Sequence, residues 1–200
     1  MHIVGYTPIG RHSHSTVLVY DTLYMWGGEC KGLPYGVHDG ADKMRYISHV
    51  DTFTMTTGIW SMRPTTGVPP LGVVGYSCTT INNNICFFGG GCNHDPIDGI
   101  CNGYHNSINM LDTHTLQWNE LSPTADDNNV MRRADGGILS FSSNNEDMAF
   151  IIGGRGHQPT TQQPNATYTS SSSSVYCYTN ECNMFNITSS KYTECVHVLY

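Results

Sequence analysis

The hydrophobic positions of this chain fall in short runs that are separated by glycine, asparagine, serine and threonine. Three of these apolar runs lead directly into a pair of glycines: Leu23 to Trp26, Ile85 to Phe88 and Ala149 to Ile152. The glycine pairs recur at spacings of 62 and 64 residues along the chain. No stretch of useful length shows the period of a helix. The pattern predicts an internal repeat of short β-strands.

A second repeated feature lies downstream of each glycine pair, where an apolar residue stands seven positions before a large aromatic residue. These pairs are Phe53 and Trp60, Leu111 and Trp118, and Tyr178 and Phe185. The two features together predict four strands per unit, with the fourth strand of the third unit near Met184 to Ile187. The third unit is also predicted to have a longer hairpin turn, over Ser142 to Asp147. The structural positions of the repeat are Gly27, Gly28, Phe53, Trp60, Gly89, Gly90, Leu111, Trp118, Gly153, Gly154, Tyr178 and Phe185.

These units resemble kelch repeats in their double glycines, in their apolar and aromatic positions, and in the opening Arg11, His14 and Ser15. The resemblance implies an all-β fold made of kelch-type β-propeller blades, each a four-stranded antiparallel sheet. Such propellers close with about five to seven blades, so about three units predict an incomplete ring.

The repeat also predicts how the chain is divided. We expect an N-terminal strand of a preceding blade in residues 1–10, repeat 1 in 11–66, repeat 2 in 67–130 and a divergent repeat 3 in 131–190. Residues 191–200 are expected to be a tail or the start of another blade.

Charge and hydropathy exclude several classes of function. The 200 residues carry 9 Lys and Arg against 16 Asp and Glu, a net charge of −7, which disfavours nucleic acid as a partner. No apolar run reaches the length of a membrane span, and the first residues do not resemble a signal peptide. The sequence therefore predicts a cytoplasmic protein without a membrane partner, with its cysteines reduced.

The candidate binding residues lie in the long loop between the second and third strands of each unit, because loops on a rigid scaffold commonly carry binding groups. The candidates are Tyr35, His38, Asp39, His94, Asp95, Arg155 and His157. A His-Asp pair occurs in both of the first two loops, where it is either a turn device or a ligand contact.

Four potential metal ligands cluster in the second loop: Cys92, His94, Cys101 and His105. Their number suits tetrahedral zinc, but their spacing matches no recognised zinc motif, so a Cys92–Cys101 bridge and plain loop residues remain alternatives. Cys177 and Cys182 flank a predicted turn over Tyr178 to Glu181, which would bring them close, although free thiols are the simpler interpretation.

The function predicted from these features is a non-catalytic protein-interaction module, a kelch-repeat adaptor or scaffold that binds another protein through its long loops. No catalytic residue and no cofactor are predicted, since His14-Ser15 repeats as Tyr76-Ser77 and is interpreted as structural. The alternatives are a metal-dependent propeller enzyme or oxidase, and a half-propeller that self-associates through open blade edges.

Overall fold

A computed structural model describes residues 5–30, 49–71, 73–92, 103–122, 130–170 and 176–193. Within these ranges the secondary structure is strand and turn, and no helix is present. The predicted all-β class is confirmed.

The first sheet has the order β2-β3-β5-β6, with the short pair β1 and β4 beside it. Its strands are β1 (Arg11–His12), β2 (Ser15–Val19), β3 (Thr22–Trp26), β4 (Glu29–Cys30), β5 (His49–Thr54) and β6 (Ile59–Pro64). All neighbouring strands are antiparallel.

The second sheet repeats this topology as β7-β8-β11-β12, again with a short pair, β9 and β10. Its strands are β7 (Ser77–Ile81), β8 (Asn84–Phe88), β9 (Gly91–Cys92), β10 (Gly103–Tyr104), β11 (Ile108–Asp112) and β12 (Trp118–Ser122).

The third sheet has the order β13-β14-β16, and β16 then carries two partners on its other edge. Its strands are β13 (Gly137–Ser143), β14 (Glu146–Gly156), β15 (Tyr168–Ser170), β16 (Cys177–Asn186) and β17 (Lys191–Thr193). The beginning of β16 pairs with β15 and its end pairs with β17. The fourth strand of this sheet is therefore β17.

This register corrects the predicted repeat positions of the third unit. Phe53 pairs with Trp60 in the first sheet and Leu111 with Trp118 in the second. The equivalent pair in the third sheet is Phe185 with Tyr192, in place of the predicted Tyr178 with Phe185. Tyr178 and Phe185 were misassigned because the same seven-residue spacing occurs twice in succession. The prediction of a fourth strand near Met184 to Ile187 is therefore wrong, and so is the expectation that residues 191–193 are a tail or start another blade.

The predicted long hairpin turn of the third unit is also wrong. Ser143 pairs with Glu146, which leaves a two-residue turn of Asn144 and Asn145. Both asparagines have positive φ, at 53° and 63°, which is the conformation of a tight hairpin turn that asparagine tolerates. The extra residues instead lengthen the paired strands.

At the N-terminal end, residues 5–10 form turn and irregular structure, so the predicted strand of a preceding blade is not seen among the described residues there. The remaining unit boundaries stay predictions.

In the first and second sheets the glycine pair directly follows the second strand, where the chain that leads into the next sheet comes close. Gly27 has φ of 62°, and a Cβ atom there would lie 2.6 Å from the carbonyl oxygen of Val73, in the segment that leads into the second sheet. The N–H of Gly28 donates to that same oxygen at 2.7 Å. Gly90 makes the equivalent bond, at 3.0 Å, to Arg133 in the segment that leads into the third sheet. The glycines therefore allow the segment that leads into each following sheet to contact the preceding sheet backbone to backbone.

Two hydrophobic cores fill the spaces between consecutive sheets. Between the first and second sheets, Trp26 packs against Trp118, Phe87 and Tyr76, with ring centroids 5.0 to 5.6 Å apart. Between the second and third sheets, Phe88, Ile151 and Phe185 belong to a second buried cluster; its other members include Ile81, Ile108 and Ile138. The three sheets stack in chain order and, in the part of the chain that the structure describes, form an open arc, which confirms the predicted incomplete ring.

A buried ionic network anchors the third sheet. The Arg133 guanidinium hydrogen-bonds to the Glu181 carboxylate and donates to Asn183 at 2.7 Å, while Glu181 accepts from Tyr168 at 2.9 Å. Burial lowers the pKa of Arg133, and Glu181 opposes that shift. Glu181 is thus a core residue within a strand, so the predicted turn over Tyr178 to Glu181 is wrong.

The same strand separates the two cysteines that were considered for pairing. Cys177 and Cys182 both lie in β16, opposite Gly156 and Ile152, and both are free thiols. The reduced interpretation is confirmed for this pair.

Candidate binding surface

The long loops leave the sheets along one rim of the arc, shortly after the glycine pairs. Here β9 and β10 form a short hairpin on the second sheet, and β14 continues past Gly154 on the third. The backbone of this rim is tied across the two sheets, because His105 N donates to Gly90 O and Arg133 N donates to His105 O, both at 2.9 Å.

Five side chains from the second and third sheets meet on this rim. We call them the rim cluster: Tyr104, Asp135, Arg155, His157 and Tyr176. The ring of Tyr104 lies 5.4 Å from that of His157 and 6.0 Å from that of Tyr176, both in edge-to-face geometry. His157 and Tyr176 are also 6.0 Å apart. The cluster is partly exposed, so it is a surface rather than a core.

The charges of the rim cluster are arranged around Arg155. Its Nε donates to Asp135 Oδ2 at 2.5 Å, and its guanidinium lies 5.8 Å from the centre of the Tyr176 ring. The hydrogen bond to Asp135 raises the pKa of Arg155, and burial raises the pKa of Tyr104. At neutral pH the cluster therefore presents the Arg155 guanidinium, held by Asp135, beside the neutral phenol of Tyr104.

The backbone holds Arg155 and Asp135 of this cluster in place. Arg155 and Ala134 exchange two backbone hydrogen bonds of 2.8 Å, and Asp135 N donates to Gly75 O, just before β7, at 2.7 Å. Because Tyr104 and Arg155 stand on paired strands and the backbone of Asp135 is hydrogen-bonded, a partner that bound these three residues would not have to order their backbone.

Of the predicted binding residues, the structure describes Arg155 and His157 and places both in the rim cluster. Tyr35, His38, Asp39, His94 and Asp95 lie outside the described residues, so their role stays a prediction. Sequence reasoning missed Tyr104, Asp135 and Tyr176. The usable signal for the two tyrosines was that each flanks one of the long loops, at the end of the second and the third respectively.

The predicted metal site also falls largely outside what is described. His94, Cys101 and the side chain of Cys92 lie outside the described residues. His105 is described and lies half-buried at the rim. Within the described ranges, no three or more His, Cys, Asp or Glu side chains come together as metal ligands. The metal site stays a prediction. No helix in these ranges has the length and apolar character to cross a bilayer.

A histidine and a serine come close on the first sheet. His12 Nδ1 lies 3.0 Å from Ser13 Oγ, and its Nε2 lies 3.6 Å from Glu29. Ser13 has φ of 55°, but the equivalent residues Gly75 and Asp135 have 65° and 56°. The conformation of Ser13 is therefore part of the repeat, which supports a structural interpretation of this segment.

Three antiparallel sheets, each with four strands in the same order and the third with the additional strand β15, stack face to face and carry a glycine pair after or within the second strand; they define a β-propeller of the kelch type. The family model of the KLHDC2/KLHL20/DRC7 Kelch-repeats domain matches residues 1–197. The chain belongs to the kelch-repeat family.

Individual relatives agree with this family assignment. Kelch domain-containing protein 3 of Bos taurus and that of Mus musculus are each 30% identical over 111 residues, and that of Homo sapiens is 29% identical over the same length. The matched stretch covers 56% of this chain and 25% of each relative. The chain thus matches about a quarter of the length of these relatives.

Proposed function

We propose that this chain is a non-catalytic protein-interaction module, an adaptor or scaffold in the cytoplasm, which binds a partner protein through the rim cluster and the loops beside it. The observation that carries the proposal is the convergence of two tyrosines, a histidine and an arginine from two sheets on one partly exposed surface.

The composition of the rim cluster suits protein recognition. Tyrosine and arginine are enriched among the residues that dominate binding energy at interfaces, since they offer large contact area with few rotatable bonds. Arg155 is already neutralised by Asp135, so the surface favours partner side chains that stack on rings and accept hydrogen bonds over a purely ionic partner.

The experiment compares proteins captured from a cell lysate by the wild-type chain and by Tyr176→Ala and Arg155→Ala variants, each quantified by mass spectrometry. The control is Tyr20→Ala, because Tyr20 is an exposed tyrosine in the hairpin turn at the opposite end of the first sheet. We expect the rim variants to lose a specific partner by about 30-fold while Tyr20→Ala retains it, as for a typical interface hot spot.

Thermal melting of all variants separates loss of binding from loss of folding. Rim variants that melt normally and still capture the same proteins at the same occupancy would contradict the proposal.

A further inference from the structure

The rim cluster continues along the third sheet to a third tyrosine. Tyr178 lies directly opposite Arg155 in the pairing of β16 with β14. Residues directly opposite each other on neighbouring strands project from the same face, so Tyr178 extends the surface on which Arg155 reaches the ring of Tyr176. Tyr176 and Tyr178 are 37% and 53% exposed. The rim therefore presents a row of tyrosines to solvent.

The rings of this row stand at steep angles to one another. Tyr104 and Tyr176 are perpendicular, at 89°, and Tyr104 meets His157 at 71°. In edge-to-face packing one ring covers only part of the other, so ring faces stay open where the residues are partly exposed. The row offers those apolar ring faces together with phenol hydroxyls.

The ion pair of the rim has no net charge. Arg155 and Asp135 are joined at 2.5 Å, with side chains 42% and 46% exposed. An anionic ligand that approached Arg155 would also meet the carboxylate of Asp135, and a cationic ligand that approached Asp135 would also meet the guanidinium. The charges of this surface therefore match a ligand segment that is itself uncharged.

The same surface is rich in hydrogen-bond donors. The bond to Asp135 uses Nε of Arg155, and a guanidinium carries five N–H donors and no acceptor. The phenol hydroxyls of Tyr104, Tyr176 and Tyr178 can donate as well. A matching ligand therefore combines compact apolar groups, which pack on the rings, with carbonyl oxygens that are not engaged by its own N–H groups.

We infer that the rim cluster, extended by Tyr178, binds proline-rich segments of a partner protein in the polyproline II conformation; this names the class of partner for the function proposed above and rests on that function. Proline is uncharged, presents a compact apolar ring and has no N–H. The polyproline II helix has no internal hydrogen bonds, so its carbonyl oxygens are available as acceptors. Because this conformation already exists in the unbound segment, binding costs little conformational entropy.

The first test measures binding of a fluorescein-labelled peptide of ten prolines to the 200-residue chain by fluorescence anisotropy. A labelled peptide of the same length with alternating glycine and serine is the control, because it is uncharged but flexible and keeps its N–H groups. We expect saturable binding of the proline peptide, with a Kd lower than that of the control by about 10-fold or more. Equal binding of the two peptides would overturn the inference.

Variants of one tyrosine then test the mode of contact. Tyr176→Ala removes a ring on which proline packs and should weaken binding by about 30-fold. Tyr176→Phe keeps the ring and loses only the hydroxyl, so it should weaken binding by about 5-fold or less. Tyr20→Ala, at the opposite end of the first sheet, should bind as the wild type does. An equal loss for the Ala and Phe variants, or a loss for Tyr20→Ala, would contradict stacking on the rim.

Backbone amide shifts in NMR spectra locate the peptide on the wild-type chain without any substitution. We expect the largest changes on adding the proline peptide at Tyr104, Arg155, His157 and Tyr176. Changes concentrated in another part of the molecule would refute the assignment of the ligand to this surface.

A competition experiment separates this inference from the proposed function. An excess of the ten-proline peptide is added while partners are captured from a cell lysate. Displacement of the partner whose capture depends on Arg155 and Tyr176 supports both the binding role of the rim and the class of ligand. Capture that depends on these two residues but is unaffected by the peptide overturns the proline-rich ligand and leaves the interaction module standing.

Discussion

Gly27→Ala is the sharpest test of how the sheets are joined. Alanine at this position would require a left-handed backbone conformation, which costs about 1 kcal/mol. Its Cβ would also lie 2.6 Å from the backbone oxygen of Val73 and 3.0 Å from the Tyr76 ring, so the two sheets must separate. Overpacking of this kind costs about 2 kcal/mol, and straining the hydrogen bond from Gly28 to Val73 costs about 1 kcal/mol more. We expect the free energy of unfolding to fall by about 4 kcal/mol.

Gly58→Ala is the matched control. Gly58 has φ of 67°, close to the 62° of Gly27, but no atom lies within 4 Å of the position of its Cβ. It should therefore lose only the conformational cost of about 1 kcal/mol. Urea unfolding at one fixed protein concentration measures both variants. Equal losses for the two substitutions would refute the argument that the glycine pairs are required for close approach of the sheets.

Two further predictions follow from the ionic groups. Arg133→Ala should lower the free energy of unfolding by about 3 to 5 kcal/mol, because it leaves the Glu181 carboxylate buried without its cation. Arg155→Ala removes a half-exposed ion pair and should lower it by about 1 kcal/mol or less. Urea unfolding measures both variants, and similar losses would contradict the role of burial. Backbone N–H bonds from Thr115 and His114, each 2.8 Å, hold the pKa of Asp112 below its ordinary value. The stabilisation from the ionised carboxylate is complete above the unfolded pKa and is lost as the pH falls through the lower folded value. The stability gap to Asp112→Ala should therefore narrow as the pH falls below about 4, and urea unfolding that shows a gap independent of pH would be inconsistent with this role.

The sequence predicted the sheets well because the signals that define them are local. A glycine pair directly after an apolar strand marks the place where two sheets touch, and the spacing from Phe53 to Trp60 is fixed by one hairpin. In the third sheet the same spacing runs from Tyr178 to Phe185 and again from Phe185 to Tyr192, and local spacing cannot choose between them. The choice is made by pairing with β14, since Ala149 lies opposite Phe185.

The candidate site was less predictable because its residues come from different sheets. Arg155 and His157 could be selected from one loop, but Tyr104 reaches them only because the second and third sheets are packed together. Similarly, Arg133 and Glu181 are far apart in sequence, and each is a charged residue of a type that usually lies at the protein surface. Contacts that depend on how sheets stack are absent from the pattern of any single segment.

The second sheet differs from its neighbours in being packed on both faces, by a core that contains Ile85 and Phe87 on one side and a core that contains Cys86 and Phe88 on the other. The alternating side chains of β8 thus belong to two different cores. Either outer sheet can open by exposing one core, but the second sheet cannot open without exposing both. Among the described sheets, we therefore expect fluctuations to begin at the first and the third, and the amide hydrogens of β8 to exchange only when both cores open.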